Sequence, residues 1–113
     1  LGTRYSIEIK TKESYSAFKE ENCVGTCESY SKRILICDPL SLDESWKSES
    51  YQTIDNYLRE TLRHELLHAF LNESGLKDDT LPSDCWSKNE EMIDWFAVMS
   101  PKIFQAYQSL DCL

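Results

Sequence analysis

The sequence predicts an α+β domain, because strand-type patterning is confined to the residues before Asp38-Pro39 and two helical patterns follow it. A short antiparallel β-sheet of about three strands is expected to pack on the first helix, with the second helix antiparallel beside it. At 113 residues, 41% hydrophobic and 28% charged, the chain has ordinary globular composition. A single domain over 1–113 is expected, large enough to bury roughly two thirds of the surface exposed on unfolding.

Arg4 to Lys10 alternates, with Tyr5, Ile7 and Ile9 on one side and Arg4, Ser6, Glu8 and Lys10 on the other, which reads as a half-buried strand. Residues 11–22 are polar apart from isolated residues such as Tyr15 and Phe18 and fit either a loop or a short helix. Val24 to Tyr30 and Arg33 to Cys37 are rich in β-branched, aromatic and apolar residues and flank the polar Ser31-Lys32 step, so a β-hairpin is expected. Asp38-Pro39 stops its second strand, since proline donates no ladder hydrogen bond. Residues 40–50 form a Ser- and acid-rich connection with Trp46 turned inward.

From Tyr51 to Ser74 the apolar residues Ile54, Leu58, Leu62, Leu66 and Ala69 recur on one helical stripe. Asn56, Arg59, Glu60 and Arg63 mark a solvated face in the first half; after His64 the residues Leu66, Leu67, Ala69, Phe70 and Leu71 predict burial on almost every side. Gly75-Leu76 supplies a C-terminal cap. A second helix is expected to begin near Asp84 or Ser87, to pass through Glu90, Ile93 and Val98, and to break or kink at Ser100-Pro101 before continuing to Leu110.

Charge and cysteine usage narrow the functional classes. The net charge of -8 is spread along the chain, and the tightest basic grouping is Lys32-Arg33, so a nucleic acid partner is not expected. No stretch approaches the roughly 20 apolar residues of a membrane-spanning helix, so no membrane partner is expected either. Five cysteines, an odd number without a regular framework, suit a reducing cytoplasm. The Cys23–Cys27 spacing has no second cysteine pair or spare histidine to complete a structural metal site, and idle thiols are expected there.

The informative segment is His64-Glu65-Leu66-Leu67-His68 within the first helix. Histidines four apart share a helical face, so both imidazoles can hold one ion, and Glu65 beside them can take a proton from water that the ion has acidified. The chain contains just these two histidines. A catalytic zinc takes three protein ligands, and the second helix offers Glu90 or Glu91 as the third. Glu90 shares a face with Asp94 and Glu91 does not, which favours Glu90 as ligand, with Asp94 accepting the far N–H of a ligating imidazole. Asp94 lies in an otherwise apolar run and is expected to be buried.

His64-Glu65-x-x-His68 followed by Asn89-Glu90-x-x-x-Asp94 resembles the gluzincin metallopeptidase pattern. With Arg63, Ala69-Phe70, Gly75, Trp95 and Pro101-Lys102-Ile103-Phe104 it also resembles small phage and prophage proteins of Gram-positive bacteria. The resemblance implies a minimal zincin-like domain that hydrolyses peptide bonds with a zinc-bound water activated by Glu65. It also implies a peptide or protein substrate extended along an edge strand, for which Arg33 to Cys37 is the candidate. Larger gluzincins use a further His or Tyr to steady the oxyanion; with no third histidine, a Tyr or Arg must serve, and the sequence singles none out. Two alternatives stand beside this reading: a catalytically silent zinc-binding structural or regulatory protein of phage or prophage origin, and a SprT-like protease recruited to DNA, which the acidic charge fits poorly. Oligomeric state is not legible.

Overall fold

A computed structural model of the protein describes residues 4–20, 23–74 and 88–113. Strands β1 (Ser6–Lys10), β2 (Gly25–Glu28) and β3 (Arg33–Cys37) form one sheet in the order β1-β3-β2. The helices are α1 (Ser16–Glu20), α2 (Tyr51–Glu73) and α3 (Glu90–Ser109), so the fold is α+β with two main helices. Short 3-10 turns at Lys12–Ser14, Pro39–Ser41 and Glu44–Ser48 join them, the last placing Trp46 against Tyr57 with ring centroids 5.0 Å apart.

The sheet corrects two expectations. It is mixed, because β1 runs parallel to β3 while β2 is antiparallel to it. Arg33–Cys37 is the central strand and not an edge. Its composition explains why: Ile34-Leu35-Ile36-Cys37 is apolar without alternation, so both of its faces need cover. Ile34 and Ile36 pack with Leu58, Leu62, Leu66 and Ala69 of α2, whereas Leu35 and Cys37 pack with Phe18 of α1. Phe18, in the segment that sequence patterning left unassigned, is fully buried.

Cys23 packs with the Phe18 cluster and Cys27 with the α2 cluster. Burial pushes the Cys27 thiol up to about 11, which suits an idle side chain.

The β2–β3 turn is held from three sides. Glu28 accepts hydrogen bonds from Arg33 Nε (2.7 Å), Tyr15 Oη (2.7 Å) and Ser31 Oγ (2.8 Å). Lys32 turns the chain with φ 56° while its ammonium meets Glu73, near the end of α2, at 2.7 Å. Arg33 first, then Tyr15 and Ser31, hold the Glu28 carboxyl down to about 2 from its ordinary 4.5. A depressed folded value gives stability that is present above about 4.5 and lost as pH falls toward 2. Glu28→Gln is therefore expected to cost on the order of 1 kcal/mol at pH 7, allowing for partial exposure, and much less near pH 3. Denaturant titrations of the two proteins at both pH values measure the difference.

Ser50 caps α2 by accepting from the Thr53 N–H, and the helix ends on Ser74; the Gly75-Leu76 cap lies outside the described residues. The expected burial of the second half of α2 on almost every side is not met, because Phe70 is half exposed. Leu67, Phe70 and Leu71 instead line an apolar hollow of about 190 Å³ with Met92, Ile93 and Phe96 of α3.

The described part of the second helix starts at Glu90, capped by Asn89, whose side chain accepts from the Met92 N–H; the expected start positions Asp84 and Ser87 lie outside the described residues. It runs through Pro101 without a break. Proline has no N–H for the carbonyl four residues earlier, that of Ala97. Arg63 Nε on α2 donates to that oxygen at 2.7 Å, so Arg63 belongs to the helix interface and not to a solvated face. The bond fixes α2 against α3 one residue before His64.

Arg63→Leu is expected to lower stability by about 1–3 kcal/mol, because Ala97 O loses its charged donor. Pro101→Ala, which returns the missing N–H, should recover part of that loss. Thermal melts of wild type, both single variants and the double variant test the coupling.

Candidate metal centre

His64 and His68 lie one turn apart on α2, with side chains 18% and 13% exposed, facing the first turn of α3. Their Nε2 atoms are 3.3 Å apart. Glu90 closes the triangle, with Oε2 2.9 Å from His64 Nε2 and Oε1 3.0 Å from His68 Nε2. All three ligand atoms fall within 4.8 Å of one another. Two Zn–N bonds of about 2.0–2.1 Å at a tetrahedral angle would set the nitrogens about 3.3–3.4 Å apart, so the spacing fits such an ion.

The tautomer supports the same fit. His64 Nδ1 lies 2.7 Å from Asp94 Oδ1, so Nδ1–H donates to the carboxylate and leaves the Nε2 lone pair inward in the neutral ring. That lone pair then faces Glu90 Oε2, another acceptor, and a proton or a cation must lie between them. Asp94 makes the expected contact without the expected burial, since its side chain is 68% exposed. The apolar character of its neighbours misled on this point: Trp95 is itself half exposed, and only Ile93 of the adjacent pair is in the core.

Glu90 is the first residue of α3, where the positive end of the helix dipole favours a carboxylate. Glu90, and not Glu91, joins the cluster among the described residues.

Glu65 lies outside the triangle, its Oε1 3.9 Å from His64 Nε2, and is the buried charged residue of the described core, at 5% exposure. Strand β2 buries it. A Cβ placed on Gly25 would lie 3.0 Å from Glu65 Oε1 and from Thr61 Cγ2, so any larger residue here would push those side chains aside. Burial pushes the Glu65 carboxyl up to about 7; His64 opposes the shift, and the Glu90 and Asp94 carboxylates add to it. A carboxylate poised near neutrality is suited to exchanging a proton with water.

These groups open into a cleft of about 760 Å³. Val24 to Cys27 of the β2 edge form one wall, α2 the floor, and Lys88, Glu90, Asp94 and Ala97 the other wall. The edge strand beside the site is thus β2. Of the residue types expected to steady an oxyanion, Tyr57 lines the cleft, but it precedes His64 by seven residues, about 10 Å along the helix axis at 1.5 Å per residue.

Gly25, Arg63 and Pro101 were not singled out as site-shaping residues by sequence patterning. The signals were present, as a glycine at the start of a strand and a proline inside a helical pattern. What each one accommodates lies far away along the chain.

Fold and site together define an α+β protein with a candidate His64-His68-Glu90 metal centre. Comparison of the chain with protein-family models, with curated proteins and with solved structures gives no match in any of the three.

Proposed function

We propose that the chain is a zinc-dependent peptidase with a minimal zincin-like fold of the gluzincin type. The observation that carries this reading is the convergence of His64, His68 and Glu90 at ligand spacing beside the buried carboxyl of Glu65. His64, His68 and Glu90 hold the ion, which when bound supplies the Lewis acidity that polarises a carbonyl and acidifies water. Glu65 accepts the proton of the attacking water and delivers it to the leaving amine. Asp94 holds the His64 ring through Nδ1. Gly25 and the β2 backbone keep bulk water from Glu65 on the strand side, and Lys88 adds a positive charge to the lining of the cleft.

The substrate is a peptide or protein segment lying extended along β2, the edge strand that borders the cleft. The net charge of -8 argues against a nucleic acid partner, and no described helix is long and apolar enough to cross a membrane. The cytoplasm is the proposed compartment.

Elemental analysis of purified protein, followed by hydrolysis assays on peptide and cell-wall substrates with and without chelator, tests the proposal. About one zinc per chain is expected, with cleavage lost on chelation and restored by Zn²⁺. Protein that binds no divalent ion would refute the centre itself; full zinc occupancy with no hydrolysis would move the assignment to a zinc-binding structural or regulatory protein.

A further inference from the structure

Strand β1 forms the sheet edge opposite the cleft, and its surface is unusual for an edge. Ile7 and Ile9 register with Ile34 and Ile36, which face α2, yet they are 51% and 59% exposed. Sequence alternation predicted that they would be inside. They share the face of the core but lie beyond the cover that α2 provides.

Among the described residues the main chain is equally open. Ser6 N–H donates to Lys32 O, and Lys10 O accepts from Asp38 N–H, so residues 6, 8 and 10 direct their peptide groups to β3. In a strand, the alternate residues Ile7 and Ile9 turn theirs to the free edge. Two adjacent isoleucines on such an edge form a template for another strand.

We propose that β1 pairs antiparallel with β1 of a second copy about a two-fold axis through Ile9, merging two three-stranded sheets into one. Charge selects this register. Only registers that bring residues of the Ile7/Ile9 set opposite one another satisfy the outward peptide groups. An axis at Glu8 opposes Glu8 to its own copy, and an axis at Ile7 opposes Lys10 to Arg4; both juxtapose like charges. An axis at Ile9 sets Glu8 against Lys10 of the second copy twice over, Ile9 against its own copy, and Ile7 against Thr11, whose backbone is extended but whose carbonyl already accepts from Ser14, so the Ile9 pair carries the central hydrogen bonds. Within the chain Glu8 meets Lys10 and Arg33 only at 4.0 and 3.7 Å, which leaves its carboxylate available across the axis. The pairing is closed, since β2 is at the other edge and takes no part.

Sedimentation equilibrium on the full chain tests this. Wild type is expected at twice the chain mass at high concentration. Glu8→Lys alone and Lys10→Glu alone each set like charges together at two places and should weaken association by about tenfold. Mixing the two variants restores opposite charges at both places, and a dimer containing one copy of each should form. In the wild type, amide exchange at Ile7 and Ile9 should slow as concentration rises, an observation that needs no variant. A wild type that stays monomeric, growth beyond two copies, or a mixture that associates no better than its components would overturn the proposal.

Discussion

Glu65→Gln is expected to reduce peptide hydrolysis by about 10²–10⁴-fold while zinc content stays at the wild-type level. The glutamine amide has nearly the shape of the carboxylate and fits the space that Gly25 leaves beside α2. It cannot accept a proton from water. His64, His68 and Glu90 are untouched by the change, so the metal-binding step and the proton-transfer step separate in one variant. Turnover measured beside metal content decides the matter: undiminished hydrolysis would take Glu65 out of the mechanism, and loss of zinc would show that it holds the site together.

His68→Ala is expected to weaken zinc binding by more than about 100-fold, since loss of a group that merely supports a ligand already costs about 10–100-fold. Zinc bound to the folded state raises the melting temperature, so wild type should gain thermal stability on zinc addition and the variant should not. Glu90→Ala is expected to behave like His68→Ala. Glu91→Ala is the control, because Glu91 takes no part in the described cluster. Equal zinc affinity in Glu90→Ala and wild type would break the assignment of the third ligand.

Much of the helical part of the molecule was legible in sequence. The stripe Leu58, Leu62, Leu66 and Ala69 packs on the sheet as its period implied, and the two histidines converge because positions four apart on a helix must share a face. Strand positions were legible too, whereas strand order was not. The unbroken apolar run of β3 held the clue to a central strand, but a run of that kind does not say which neighbour lies on which side. Alternation in β1 correctly marked a strand and misjudged its burial, because Ile7 and Ile9 face the α2 side where the helix does not reach.

The sequence by itself determined the elements and the chemistry of the donors, because helical and strand periods are local and imidazole and carboxylate carry their affinities with them. Tertiary structure alone decided how closely Glu90, already favoured by its helical face, approaches His64 and His68, that β2 passes close enough at Gly25 to bury Glu65, and that Arg63 takes over the carbonyl which Pro101 leaves without a donor. Each of those contacts joins residues more than twenty positions apart. Spacing along a chain carries no distance across it until the sheet and helices have packed.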